Sequence, residues 1–182
     1  PRLFYSFTYF IKGDGPVKII GIIAEYNPFH NGHAYQIQKA KEQSGADCVI
    51  VAMSGNYVQR GMPAVTDKFT RSSMALSCGA DLVFELPTLW SVSSAEYFAK
   101  AGTALLDALG CVDTISFGCE TPDLSLFTTL ADILAKEPHV YSKALAARLK
   151  QGYSFPAARE AALRSYAAQQ NIRIAEEDIA AI

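Results

Sequence analysis

Val17-Lys18-Ile19-Ile20-Gly21-Ile22-Ile23-Ala24 is a β-branched run with almost no polar alternation. A strand that is apolar on both sides must be covered on both faces, and a parallel sheet flanked by crossover helices provides that cover. The rest of the chain agrees with it. After the turn 26–32, residues 33–43 carry Ala34, Ile37 and Ala40 at helical spacing, and Gly45 closes the helix. Residues 48–53 read as a second strand. Asp67 is placed to cap a helix over 68–78 that Gly79 ends, and residues 81–85 supply a third strand. Ser93 and Glu96 have capping-box spacing at the start of a helix reaching Leu109, and residues 114–118 form a fourth strand. Strand and helix thus alternate four times, which predicts an α/β fold with a parallel sheet and right-handed crossovers. From Ser125 onward the pattern is helical only, with helices expected over 124–136, 139–151 and 156–170.

The 182 residues, half of them apolar and 19% charged, suffice for one domain or for one domain and part of a second. We expect an α/β core over 17–120 and a helical, basic segment over 121–182, belonging to the same domain or to an incomplete following one. For residues 1–16 an N-terminal extension or a cloning remnant is favoured over an extra edge strand. The longest apolar runs, 19–24 and 48–53, fall well short of the roughly 20 residues a bilayer-spanning helix needs, so no membrane span is expected. Cys48, Cys78, Cys111 and Cys119 show no C-x-x-C spacing. Cys48, in a strand, and Cys78, at a helix end, are expected as buried thiols, which fits a reducing, cytoplasmic compartment. With three histidines, two of them in one short motif, a zinc site is not expected. The net charge of −2 hides an asymmetry: residues 1–135 carry 9 Lys/Arg against 13 Asp/Glu, whereas 136–173 carry seven basic residues against two acidic ones. The second stretch is a candidate nucleic-acid surface.

In an open parallel sheet the ligand crevice lies beyond the carboxyl ends of the strands. His30-Asn31-Gly32-His33 stands there, after the buried strand and at the start of a helix. The glycine lets the backbone turn tightly and lets a phosphate come close, while the first helical turn offers amide donors and the positive end of the helix dipole. Histidine donates to phosphate oxygens when neutral, and more strongly when protonated. Such donors suit nucleotidyl transfer, where charge develops on the α-phosphate and on the departing pyrophosphate. As a bare H-x-G-H the motif is better read as an exposed turn. Its setting, with Asn27-Pro28-Phe29 before it, turns the balance toward chemistry. Neither G-x-x-x-x-G-K-[ST] nor G-x-G-x-x-G occurs.

The stretch from Ile22 to His33, with Met53-Ser54-Gly55-Asn56 and Gln59-Arg60-Gly61, resembles the bacterial tRNA(Met) cytidine acetate ligase family, of the HIGH-type nucleotidyltransferases. Asp81-Leu82-Val83-Phe84-Glu85-Leu86-Pro87, Ser94-Ala95-Glu96-Tyr97-Phe98-Ala99 and Phe117-Gly118-Cys119-Glu120 extend the likeness to about residues 17–164. The resemblance implies a Rossmann-like nucleotidyltransferase fold with a parallel sheet, followed by a helical C-terminal segment. It implies an enzyme that makes acetyl-adenylate from ATP and acetate, with Mg²⁺ accompanying ATP, and then acetylates N4 of the wobble cytidine of elongator tRNA(Met), releasing AMP and pyrophosphate. Carried over by position, the ATP contacts are Ile23, Ala24, Glu25, Tyr26, Asn27, Pro28, Phe29, His30, Asn31, Gly32, His33, Ala34, Tyr35, Gln36 and Gly118, with His30 and His33 as the catalytic pair and no metal-ligating residue. The family's later S-P-N-N-like and I-S-x-T-x-I-R-like segments do not occur before Ile182. A small-molecule adenylyltransferase, or a nucleotide- or RNA-binding module without activity, is the alternative.

Outside that set, Ser54, Gly55 and Asn56 are candidates to line an acetate or cytidine pocket. Arg60 and Lys68 are candidates for triphosphate or tRNA phosphate; Arg71 is as readily a solvated surface residue. Glu25 can orient a histidine or a Mg²⁺ ion, although a carboxylate at a strand end is more often met by neighbouring amides. Lys143, Arg148, Lys150, Arg159 and Arg164 fit contacts to a tRNA backbone. Phe98, Phe127, Tyr153 and Phe155 are expected in the core.

Overall fold

The structure is a computed structural model that describes residues 5–10, 17–119 and 124–172, the first stretch as backbone only. Residues 11–16, Glu120, Arg173 and the acidic tail lie outside the described residues. The chain divides into two compact units, one spanning Ser6–Gly118 and the other beginning at Cys119.

The first unit is built on β1 (Tyr5–Phe10), β2 (Ile19–Ala24), β3 (Cys48–Ser54), β4 (Leu82–Leu86) and β5 (Thr114–Cys119). The strands lie in the order β1-β5-β2-β3-β4. β2 runs parallel to β3 and to β5, and β3 parallel to β4. From β2 the chain steps outward through β3 to β4, then returns to lay β5 on the other side of β2. This reversal makes the carboxyl ends of β2 and β5 the switch point of the sheet.

Side-chain alternation assigns the two faces. Ile20, Ile22, Val49, Val51 and Met53 pack with Ile37 and Ala40 of α1 (Asn31–Ser44) and with Ala75 of α2 (Lys68–Ser77). On the opposite face Ile50, Ala52 and Ile115, with Ile19 and Ile23, pack against Phe98 and Leu106 of α4 (Ala95–Ala108). Helix α4 sits low on β2 because two glycines make room: a Cβ on Gly102 would come 2.6 Å from Ile23 Cγ2, and one on Gly21 2.7 Å from Leu106 Cδ1. At the amino ends of the strands three aspartates repeat one device. Asp47, Asp113 and Asp81 each stand just before a strand and accept from the backbone N–H of its neighbour, from Lys18 (2.9 Å), Ile19 (2.7 Å) and Val49 (2.8 Å). That edge is closed by the protein's own carboxylates, and the carboxyl edge remains for a ligand.

Several expectations need correction. Helix α1 starts two residues before the expected His33, with His30 as its N-cap. The Ser93–Glu96 capping box does not form: Ser94 is the N-cap of α4, and Ser93 Oγ donates instead to Trp90 O at 2.6 Å, closing the unforeseen short helix α3 (Thr88–Ser91). Tyr5–Phe10 is an edge strand beside β5, the option that the turn-rich 12–16 stretch disfavoured. No cysteine forms a disulfide, but Cys78 and Cys111 are exposed and Cys48 and Cys119 half-buried, because the strand and helix ends that carry them are not covered.

The second unit holds α5 (Leu124–Lys136), α6 (His139–Lys150) and α7 (Phe155–Gln169) around Leu130, Ile133, Tyr141, Ala162 and Leu163. Tyr153 and Phe155 are 46% and 50% exposed rather than core, since they stand in the α6–α7 connection and at the start of α7, outside that cluster. Tyr153 instead lies under the Arg148 guanidinium, 5.5 Å away. No helix of the described residues is long and apolar enough to cross a membrane.

Candidate active site

Beyond Ala24 the chain turns through Tyr26, whose φ of 49° is left-handed, and through a cis Asn27–Pro28 peptide. The turn buries one aromatic and builds a floor on it. Tyr26 is 1% exposed, Phe29 meets it edge-on at 4.8 Å between ring centroids, and His33 lies 4.8 Å from Tyr26 and 5.6 Å from Phe29. Burial raises the Tyr26 phenol above its ordinary pKa, and its hydroxyl is a buried group without a partner among the described residues.

His30 and His33 stack at 3.7 Å on top of this floor. They also cap the helix reciprocally, in a capping box made of imidazoles. His30 Nδ1 accepts from Gly32 N–H at 3.1 Å, and His33 Nδ1 accepts from His30 N–H at 3.3 Å. Gly32 is needed for this closure, because a Cβ there would come 2.9 Å from His30 Cε1. Two consequences follow. The first-turn amides of His30 and Gly32 are already satisfied by the histidines. A ring whose Nδ1 accepts carries its proton on Nε2, which makes Nε2–H the donor available to a ligand. Burial first, and the proximity of His30 second, hold His33 down at about 4, so it is neutral at pH 7.

The fold brings part of the predicted ATP set to the carboxyl ends of β2 and β5. The register Ile22↔Ser116, continued along both strands, sets Gly118 level with Ala24. Beside them an apolar recess of about 390 Å³ is lined by Ile23, Phe98, Ala99, Thr103, Ile115 and Phe117, with Ser116. Asn31, Gly32 and Tyr35 are exposed on the first turn of α1, and Ala34 and Gln36 are half-buried. Glu25 and Asn27 turn their side chains the other way: Glu25 Oε1 accepts from Gln59 N–H at 2.8 Å and Asn27 Oδ1 from Val65 N–H at 2.7 Å. The strand-end carboxylate is thus met by an amide.

The loop after β3 is self-contained. Ser54 and Gly55 are buried, and the Glu85 carboxylate fills the space a Gly55 side chain would need. Asn56 Oδ1 accepts from Lys68 N–H at 3.2 Å, and Lys68 Nζ pairs with Glu85 at 2.5 Å. The residue that organises this loop is Arg71, fully buried rather than solvated. Its guanidinium donates to the carbonyls of Thr66 (3.1 Å), Glu25 (2.6 Å) and Ser54 (3.1 Å), and also to that of Gly55. It thereby ties the ends of β2 and β3 together. Arg71 and Ala75 are the two buried residues of α2, four apart on one face, and that spacing was the available signal. Among the basic candidates Lys143, Arg148 and Lys150 are exposed on α6 and Arg159 is half-buried on α7, while Arg164 pairs with Glu160 at 2.9 Å. Among the described residues no group of three His, Cys, Asp or Glu is placed to hold a metal.

Comparison with known proteins follows the same lines. The profile of the HIGH Nucleotidyl Transferase family matches residues 17–179. A tRNA(Met) cytidine acetate ligase of Acetivibrio thermocellus is 50% identical over 152 residues, which are 84% of this chain and 37% of that protein. One of Thermoanaerobacter sp. is 54% identical over 146 residues, 80% of this chain and 36% of that protein. The crystal structure of Thermotoga maritima TmcAL bound with alpha-thio ATP superposes with a TM-score of 0.83 at 44% identity, over 90% of this chain and 39% of that one. The chain therefore spans well under half the length of these relatives. Four parallel strands in switch-point order, a stacked histidine pair at the first turn of α1 and the family profile over most of the sequence agree that the chain belongs to the HIGH nucleotidyltransferase family.

Proposed function

We propose that this chain is the nucleotide-binding part of an enzyme that joins acetate to AMP and passes the acetyl group to N4 of the wobble cytidine of elongator tRNA(Met). The observation that carries the reading is the stacked pair His30 and His33 at the switch point, each with Nδ1 occupied as an acceptor so that Nε2 is left for a ligand. The alpha-thio ATP bound by the Thermotoga maritima relative and the ligase names of the Acetivibrio and Thermoanaerobacter relatives support it.

In the first step an acetate oxygen attacks the α-phosphorus of ATP and pyrophosphate leaves. In the second, the cytidine amine attacks the acetyl carbon, loses its proton, and AMP leaves. The two Nε2–H groups donate to the phosphate oxygens on which charge builds, His33 as a neutral donor. Donors of this kind stabilise a transition state by about 3 kcal/mol each when water is excluded. The apolar recess beside Gly118 receives the adenine. Mg²⁺ travels with the triphosphate, since Glu25 is committed to Gln59. Lys143, Arg148, Lys150 and Arg159 meet tRNA phosphates, and a tRNA substrate sets the enzyme in the cytoplasm.

The test is incubation with labelled acetate, ATP and tRNA. Acetylated cytidine with stoichiometric AMP and pyrophosphate is the expected product. Adenylyl transfer to another acceptor, with no acetylated cytidine, would replace this reading by that of a small-molecule adenylyltransferase.

A further inference from the structure

The loop between β3 and α2, with the first turn of α2, holds four large apolar side chains in water. Tyr57 is 48% exposed, Met62 60%, Val65 74% and Phe69 74%. Single exposed apolar residues are ordinary, whereas four in so short a stretch of chain mark a contact surface.

The loop is pinned along its length. Tyr57 and Pro63 form an antiparallel bridge. Val58 N–H donates to Met62 O at 2.9 Å, Gly61 N–H to Val58 O at 3.1 Å, and Ala64 N–H to Asn56 O at 2.9 Å. Buried Arg71 holds the carbonyls of Ser54, Gly55 and Thr66 from beneath. Two further bonds, from Gln59 to Glu25 and from Val65 to Asn27, tie the loop to the segment that leads into His30. The exposed side chains therefore stand on a preformed surface tied to the segment that leads into His30.

Cations accompany the rings. Lys68 Nζ lies 5.5 Å from the centre of the Phe69 ring. Arg60 is exposed and held at a left-handed φ of 66°. Exposed aromatic faces with adjacent cations are the chemistry of an unstacked nucleobase and its phosphate; a purely apolar patch would suit a protein partner better.

We propose that Tyr57, Met62, Val65 and Phe69, with Arg60 and Lys68, are the docking surface for the unpaired nucleotide of the RNA acceptor. Tyr57 and Phe69 take the base on their faces, and Arg60 takes a backbone phosphate. The identity of the RNA rests on the acetyl-transfer reading; the aromatic dependence of binding does not.

The experiment measures fluorescence anisotropy of two labelled RNAs with this protein: a hairpin with an unpaired cytidine in its loop, and a fully paired duplex of equal charge. Wild type binds the hairpin better. Phe69→Ala and Tyr57→Ala each lose hairpin affinity by at least about fivefold, the lower end of what one stacked base contributes. Phe69→Trp restores it, and ATP affinity and the urea midpoint stay unchanged throughout. Equal binding of hairpin and duplex by wild type, or hairpin affinity untouched in both alanine variants, overturns the proposal. So does a sedimentation result in which Phe69→Ala dissociates a dimer without affecting RNA, which would assign the patch to contact between copies. If the hairpin result holds while wild type makes no acetylated cytidine, the reaction assigned above fails and the RNA surface stands; the opposite pattern removes the surface alone.

Discussion

The turn after β2 and the loop after β3 occupy equivalent places at the carboxyl edge of the sheet and are built inside out with respect to each other. After β2 the aromatic Tyr26 is buried and the polar imidazoles of His30 and His33 lie above it. After β3 the cation Arg71 is buried, and Tyr57, Val65 and Phe69 stand in water. A small anionic ligand needs a few placed donors over a rigid apolar floor. A larger partner needs exposed flat area over a rigid polar frame. The two constructions also share parts, because Arg71 holds the Glu25 carbonyl and the β3 loop donates to Glu25 and Asn27.

The shared frame gives the largest expected effect. Arg71→Leu leaves carbonyls of Glu25, Ser54 and Gly55 without their donor at a buried site, and we expect a loss of about 3–5 kcal/mol in urea unfolding. A loss below about 1 kcal/mol would mean that the two segments are held independently. Next is Gly55→Ala, whose methyl takes the space of the Glu85 carboxylate and breaks its pair with Lys68. The displaced carboxylate ends a flexible, 42% exposed side chain, so the cost is about 1–2 kcal/mol, with no change in the helicity of α1 by circular dichroism.

His30→Ala removes the N-cap of α1 and should lower stability by about 1 kcal/mol. His33→Gln keeps a capping-box side chain but cannot titrate. In wild type the unfolded chain takes up the His33 proton near 6.5, whereas the folded chain takes it up near 4. Stability from this group is therefore full above about 6.5 and is lost as the pH falls toward 4. Thermal melts across that window should slope less in His33→Gln than in wild type, and parallel slopes would place the acid sensitivity elsewhere. The smallest stability change belongs to Phe69→Ala, within about 0.5 kcal/mol, because that ring is in water.

Much of this was legible from residues alone. The unalternating run ending at Ala24 dictated a sheet covered on both faces, and Gly45 marks the end of α1, adopting φ 63° as expected of a helix-closing glycine. The position of His30 to His33 after a buried strand pointed to the switch point before any coordinates did. What was not legible depended on choices that composition leaves degenerate. Ser93 and Ser94 both precede Ala95, and only the short helix after Pro87, to which Ser93 bonds, decides that Ser94 caps α4. Arg60, Lys68 and Arg71 are equivalent as cations in a sequence. One is buried because four residues separate it from Ala75 on the inner face of α2 and because several carbonyls converge there. The capping role of the imidazoles was hidden for a similar reason, since Ser, Thr, Asp and Asn are the residues expected at an N-cap.

The central claim is that the Nε2–H groups of His30 and His33 grip the phosphates of ATP. Calorimetric titration of ATP into this protein and into His30→Ala and His33→Ala measures it directly. Each variant should lose at least about tenfold in affinity, as expected for one hydrogen bond to a charged phosphate. Equal affinity for ATP in all three proteins would contradict it.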